Sequence, residues 1–352
     1  MRFLVSLDVG RGIAATWVML FHFNFMLSQY TPDPSFGILT LSHTPVLFFF
    51  ALSGFLMMTL QQKHFGQSAI WAEFLFRRLG RIFPMYWLAL LLMSVIVVFS
   101  KSLSFPTASD MLKQFLLLTP TADGNGHTRI LGVAWTLEVE MLFYLSFSLL
   151  LFLKTRWLQA LWFALALAVA LTHSPNALLF LAGMFAAVFI DKVPQKAINS
   201  LWPTAIFIGM ALWVEIQDFS PLLAKGGAAI ACWGIIVTLV LWERTKPQLT
   251  TQCPRWLQLN GHCSYSCYLF HIPIGTIILK ILHASGMLAL LNGTLALLIL
   301  SASTWYITIL IGQHIEAPMN AWIKRYSNRK WGRTCETPLT KRGNTYHANH
   351  RS

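Results

Sequence analysis

The chain has 352 residues, 56% of them hydrophobic and 11% charged, against roughly 25% charged in an ordinary soluble domain. That composition excludes a soluble enzyme and points to an all-α polytopic membrane protein folded as one bundle. The net charge of +13 does not imply nucleic acid as a partner, because Lys and Arg gather at the ends of apolar segments, where they anchor helices against membrane lipids and set orientation.

A bilayer needs about 20 apolar residues per helix. The pattern predicts about ten transmembrane helices, at 12–28, 44–61, 82–100, 131–153, 157–172, 175–190, 201–216, 226–242, 265–283 and 287–313. Most Lys and Arg fall on one side if the N-terminus is inside, so N-in and C-in is the expected topology. The membrane domain is read as 1–320 and residues 321–352 as a basic cytoplasmic tail without structure. The five cysteines, Cys232, Cys253, Cys263, Cys267 and Cys335, show no disulfide or zinc spacing and are expected as free thiols. No motif calls for a metal.

The first span opens on Asp8 and Arg11 and carries His22 deep inside. A helix turns about 100° and rises about 1.5 Å per residue, so His22 lies almost over Arg11, about 16 Å further along. Asp8, Arg11, Ala15, Val18 and His22 form one stripe. An ionisable ring inside a bilayer is a functional candidate by default, although a packing histidine fits the same position. In the second span Ser53 and Gly54 leave a notch, suited to close helix packing or to the passage of a thin ligand.

An inner loop then carries Arg77, Arg78 and Arg81 at helical spacing, with Pro84 kinking or starting the next span. Three guanidinium groups at one mouth match phosphate oxygens or serve as a membrane anchor. The outer loop that follows holds an apolar piece at 111–118, a candidate interfacial helix, and a polar segment at 121–127.

The fourth span begins at Trp135 and contains Glu138 and Glu140, about 200° apart around the helix. Thr136, Glu140 and Tyr144 share a polar stripe, so Glu140 is the interior carboxylate and Glu138 the one nearer the outer surface. Counted from the span ends, Glu140 and His22 reach similar depth, which suggests a His–carboxylate pair of the kind general-base chemistry uses. The ninth span places Ser264, Tyr268 and His271 on one stripe, while His314, Glu316 and Pro318 mark the inner terminus of the last.

These pieces in this order resemble the membrane acyltransferase-3 family over about residues 5–320. The matching elements are Leu7, Asp8, Arg11, Gly12 and His22; Phe50 to Phe55; Arg77 to Tyr86; Trp135 to Tyr144, with Thr136 where the family has serine; and Ser264 to Pro273. Val9-Gly10 departs from the family's usual order at the first turn. No soluble hydrolase-like domain is appended, as in the stand-alone form. The resemblance implies transfer of an acyl group, acetyl above all, from acetyl-CoA to a hydroxyl of a cell-envelope glycan or lipid-linked sugar, at the bacterial inner membrane.

On this reading His22, Glu140, Arg11 and Asp8 carry catalysis, and Arg77, Arg78 and Arg81 hold the nucleotide phosphates. Ser53 and Gly54 pass the pantetheine arm, and Trp135, Tyr144, Tyr268 and His271 support the site. The residues alone also fit a proton-coupled secondary transporter with His22, Glu140 and His271 as its relay.

Overall fold

The computed structural model describes residues 4–30, 44–100, 106–119, 129–193, 221–246, 248 and 252–332. Among these the secondary structure is all helical. The helices are α1 (Val5–Leu27), α2 (Thr44–Gln61), α3 (Trp71–Ser100), α4 (Ala108–Phe115), α5 (Trp135–Ser148), α6 (Arg156–Thr172), α7 (Ala177–Phe189) and α8 (Pro221–Thr245), followed by α9 (Arg255–His262), α10 (Ser264–Ala284), α11 (Met287–Leu290), α12 (Gly293–Ile311) and α13 (Ala317–Trp331). Six stretches among the described residues are long and apolar enough to cross a membrane: Pro45–His64, Ser68–Ser100, Gly132–Leu151, Leu223–Thr245, Ser264–Ala284 and Gly293–Trp331. Shorter apolar helices lie at Arg156–Thr172 and Ala177–Phe189. The chain is a polytopic membrane protein.

α1 adds 23 residues with a mixed face carrying Asp8, Arg11 and His22. The span predicted at 201–216, the polar segment at 121–127, Cys335 and the end of the tail lie outside the described residues. Cys232, Cys253, Cys263 and Cys267 are free thiols.

Several boundaries differ from the sequence reading. The three arginines do not sit in a loop. α3 starts at Trp71 and runs through Pro84 without interruption, burying Phe74, Leu75, Ile82, Met85 and Tyr86 along one face. Proline removes one helical donor and crowds the carbonyl four residues back; here that residue is Gly80, and the apolar face on either side carries the helix through.

His314, Glu316 and Pro318 do not end a helix either. A π turn at Gly312–Glu316 joins α12 to α13, with Pro318 in the first turn of α13, where its missing N–H costs nothing. α13 then continues past residue 320 to Trp331, with Ile323 and Ser327 buried. The outer-loop helix α4 begins earlier than expected, because Thr107 caps it by accepting from the Asp110 N–H at 3.2 Å.

Two glycine contacts set the helix spacing. A Cβ on Gly54 would stand 2.0 Å from the Phe180 carbonyl oxygen, and one on Gly183 would stand 1.7 Å from that of Ala51. α2 and α7 therefore touch backbone to backbone. α1 packs against α2, α8, α9, α10 and α12. Its first turn is capped from α8, where the Glu243 carboxylate accepts from the Val5 and Ser6 N–H groups at 3.1 and 2.8 Å, filling two of the orphan donors every helix start leaves.

The α2–α7 contact predicts a clear asymmetry between glycines. Gly183→Ala should destabilise the detergent-solubilised protein by about 1–3 kcal/mol, the usual range for overpacking. Gly226→Ala, where a Cβ would meet nothing within 4 Å, should stay within about 0.5 kcal/mol of wild type. Thermal denaturation of the two variants side by side checks this.

Candidate active site

At the end of the bundle where α1 begins, a polar vestibule of about 360 Å³ is lined by Asp8, Arg11, Arg77, Arg78, Arg81, His262, Glu316, Asn320, Ile323 and Lys324. Its basic side chains come from α1, α3 and α13. Within it Arg11 approaches Asp8 at 3.6 Å, and His262 Nδ1 lies 3.1 Å from the other Asp8 oxygen. Arg77 is committed to structure. It bonds Glu73 at 2.6 Å and donates to Ser327 Oγ and Asn328 Oδ1 at 2.8 and 2.7 Å, tying α3 to α13. Arg78 and Arg81 instead turn inward, with the Arg78 guanidinium carbon 5.7 Å from the Tyr144 ring centre and 6.0 Å from that of Phe74.

Arg11, Arg78 and Arg81 also line a second, narrower cavity of about 90 Å³ that runs into the bundle. Its walls include Phe49, Phe50, Ser53, Leu56, Ile82, Thr136, Glu140, Tyr144, Ser264, Tyr265 and Tyr268. A space this size is well below the roughly 300–1,000 Å³ of a whole-ligand pocket and suits a thin linear chain. Glu140 faces it from α5 and accepts two hydrogen bonds on the same oxygen, from Ser53 Oγ at 2.7 Å and from the Tyr144 hydroxyl. Across the cavity Tyr265 donates to the Ile82 carbonyl at 2.8 Å.

Tyr268 closes the inner end. Its hydroxyl meets Thr136 Oγ1 at 2.8 Å and donates to the Val133 carbonyl at 3.3 Å. One helical turn beyond Tyr268 stands His271, fully buried. His271 Nε2 lies 3.2 Å from His22 Nδ1, and the two rings are 5.0 Å apart. The His22 Nδ1 also faces the Val18 carbonyl at 2.8 Å, and His271 Nδ1 faces the Cys267 carbonyl at 3.1 Å.

The structure thus brings Arg11, Asp8, Arg78, Arg81, Ser53, Glu140, Tyr144 and Tyr268 to one connected space, with the His22–His271 pair behind Tyr268. Trp135 packs edge-on against Phe50 of the cavity wall. The structure departs from the sequence reading elsewhere. Gly54 points away from the cavity onto the α7 backbone and opens no notch for a ligand. Arg77 lines the vestibule but is bonded to Glu73, Ser327 and Asn328. The residue against His22 is His271, while the Glu140 hydrogen bonds run to Ser53 and Tyr144. Glu140 sits one turn from Thr136 and His271 one turn from Tyr268, in opposite directions, so the two are separated along the bundle by about 10 Å.

Other site residues were passed over in the sequence. His262 stands in the Asn-Gly-His run just before the Ser264–Pro273 motif and showed no spacing signal of its own. Lys324 and Asn320 belong to a segment whose helicity the charge run concealed. Glu316 accepts from the Ser266 backbone N–H and hydroxyl, so it fastens α10 while its flank lines the vestibule. Glu138 is buried in an ion pair with Arg129, at 2.9 Å.

A family model described as an acyltransferase domain, acyltransferase-3, matches residues 4–313. The chain belongs to the acyltransferase-3 family. It is similar to the exopolysaccharide production protein ExoZ of Rhizobium meliloti, at 30% identity over 278 residues, covering 70% of this chain and 83% of that one. It is also similar to nodulation protein 10 of Rhizobium leguminosarum bv. viciae, at 25% identity over 313 residues, covering 76% and 82%. No solved structure matches. Membership decides between the two classes the residues left open: this is a membrane acyltransferase of a family that modifies polysaccharides, not a proton-coupled transporter.

The mouth of this acyltransferase should respond to pH through His262. Its hydrogen bond to Asp8 raises its pKa above 6.5, against burial and the nearby Arg11. A raised folded-state value stabilises the fold below the unfolded pKa, and that contribution is lost as pH climbs through the folded one. Wild type should therefore lose stability relative to His262→Gln as pH rises above the ordinary histidine value of about 6.5, read by thermal denaturation in nanodiscs. Parallel curves for the two proteins would refute the pairing.

Proposed function

We propose that this acyltransferase moves an acetyl group from acetyl-CoA at the cytoplasmic face to a hydroxyl of a cell-envelope glycan or lipid-linked sugar. The observation that carries the reading is the continuity of the vestibule with the narrow cavity through Arg11, Arg78 and Arg81, which line both. Guanidinium forks at the open end suit the phosphates of a nucleotide, and the thin interior suits an extended pantetheine arm. The excess of Lys and Arg on this side supports N-in, C-in with about ten spans; in that orientation the vestibule opens to the compartment that holds acetyl-CoA, and the proposed location is the bacterial inner membrane. The acceptor class follows the relatives, one named for exopolysaccharide production and one for nodulation.

In this scheme Arg78 and Arg81 hold the donor, with Lys324 and Arg11 adding charge at the mouth. Ser53, Tyr144 and Glu140 line its path, and Glu140 offsets the arginine charge inside the bundle. Tyr268 stands between the arm and the histidines. His22 takes the proton of the acceptor hydroxyl as general base. The acceptor enters from the side opposite the vestibule, because His22 is in the outer half of α1.

Sealed proteoliposomes test the proposal, with labelled acetyl-CoA on the vestibule side and envelope glycan on the other. His22→Ala should lower transfer by about 10²–10⁴-fold, the range for loss of a general base. Arg81→Ala should raise KM for acetyl-CoA about 10-fold or more, as expected for a lost charged hydrogen bond, with a smaller change in kcat. Transfer at the wild-type rate by His22→Ala would remove His22 from the chemistry. Label trapped on the protein in acid-quenched single turnovers would replace the general base with an acyl-histidine carrier.

A further inference from the structure

We infer that α13 carries a docking face for anionic phospholipid headgroups, formed by Trp322, Arg325, Tyr326 and Arg329. These residues stand at i, i+3, i+4 and i+7. In a helix that spacing gathers them within about 100° of arc. All four are exposed, Trp322 at 57% and Tyr326 at 41%. The two rings stack at 5.7 Å and 23°, and an arginine follows each ring by three residues.

What covers this face follows from its depth. Exposed tryptophans mark the rim of the bundle at the vestibule end: Trp71 where α3 starts, Trp157 where α6 starts, Trp242 near the end of α8 and Trp256 where α9 starts. Arg156, Arg244 and Arg255 stand within two residues of three of them. Contacts gather these helix ends at one side. Glu243 of α8 caps the start of α1, Gly261 of α9 meets Asp8, and Trp71 donates to Ser148 at the end of α5, after which α6 begins. Tryptophan rings gather at the membrane–water interface, and arginine beside them.

α13 does not project beyond this rim. Ile323 packs on Gly80, and the Tyr326 ring lies 5.4 Å from that of Phe76. Gly80 and Phe76 are nine and five residues along α3 from Trp71, about 14 and 8 Å further in. The vestibule residues Asn320 and Lys324 fall about 150–170° around the helix from the centre of the stripe. α13 is therefore a wall, with the vestibule on one side. Its exposed side, at the depth of the rim, meets lipid rather than open water.

The side chains set the chemistry of the occupant. Residues 317–331 contain Lys324, Arg325, Arg329 and Lys330 and no Asp or Glu. A cluster of four or more cations on an amphipathic helix beside a span attracts anionic lipid, and α13 follows the last span directly through the π turn. Guanidinium forks match phosphate oxygens, while Trp322 and Tyr326 suit the level of the glycerol and upper acyl chains.

The fluorescence of Trp322, taken as the difference between wild type and Trp322→Phe, reports this face alone. The full-length protein in neutral detergent is titrated with phosphatidylglycerol or phosphatidylcholine brominated on the acyl chains. Brominated phosphatidylglycerol should quench the difference signal at lower concentration than phosphatidylcholine. Arg325→Gln/Arg329→Gln, read against the same variant with Trp322→Phe, should need about 30-fold more phosphatidylglycerol, the effect of two surface cations. Arg325→Lys/Arg329→Lys keeps the charge and should stay within about fivefold of wild type.

No quenching by either lipid would overturn the docking face, and equal quenching by the two would overturn its preference for anionic lipid. A Gln variant that titrates like wild type would also overturn it, the result expected if these arginines serve a soluble acidic protein. If the Gln variant does not fold, the two wild-type titrations and the Lys variant decide. The readout needs no turnover, so it stands or falls apart from the donor and acceptor proposed above.

Discussion

The site depends on the close seating of α1 against α9. A Cβ on Gly12 would stand 2.7 Å from the Gly261 nitrogen, and one on Gly261 2.5 Å from the Asp8 carbonyl oxygen. Two backbones in contact cannot slide without a clash, so register is set there. Asn260 locks it: buried between helices, its amide donates to Thr16 Oγ1 at 3.1 Å and its oxygen accepts from the Trp305 indole at 2.9 Å. Because α1 is one continuous helix, the register at Gly12 also fixes where its polar side chains stand at either end. Asp8 and Arg11 are placed in the vestibule and His22, three turns on, against α10. An apolar contact there would permit rotation. A buried amide with partners on two other helices does not, since any rotation strands a polar group at a cost of about 1–3 kcal/mol.

The charged residues inside this bundle divide by where their partners lie. Arg129–Glu138 and Glu73–Arg77 spend their charge on each other, at 2.9 and 2.6 Å. The first closes the outer end, where Gln114 bridges two segments by accepting from the Ile130 N–H through its side chain and from the Tyr86 hydroxyl through its carbonyl. The second braces α3 against α13. Ionised groups in a bilayer are costly, and pairing lowers that cost without creating a binding site. Arg78, Arg81 and Glu140 differ because they line an open path. Glu140 faces an excess of guanidinium charge across this space, since Arg11 lines it as well.

That division explains what the sequence could show. Features within one helix were legible: the Arg11–His22 stripe and the Thr136–Glu140–Tyr144 stripe facing the cavity. Each needs only the helical period. Burial did not follow, since Glu138, paired with Arg129, is the more enclosed of the two carboxylates. What required knowing which helices touch was not legible. Arg77, Arg78 and Arg81 look alike along the chain, and only α13 distinguishes them: Arg77 bonds its Ser327 and Asn328, while Arg78 and Arg81 reach the narrow cavity. Gly54 looks like a notch until α7 fills it. Depth counted from predicted span ends put Glu140 beside His22. Tyr268, bonded to Thr136, stands between them. α13 was missed because Lys324, Arg325, Arg329 and Lys330 mask a buried side of only Ile323 and Ser327.

The identity of the partner to His22 has its own physical logic. The familiar partner of a catalytic imidazole is a carboxylate, which fixes the tautomer and stabilises the charged ring. Beneath a bilayer surface, an ionised partner carries its own desolvation cost at all times, whether or not a substrate is present. A second imidazole with its Nδ1 hydrogen given to a backbone carbonyl offers the same acceptor with no net charge. Glu140, about two turns away, stands on the arginine side and is bonded to Ser53 and Tyr144. The bundle thus keeps the two kinds of group apart: the His22–His271 ring pair lies behind Tyr268, and the Glu140 carboxylate lines the cavity beside Arg78 and Arg81.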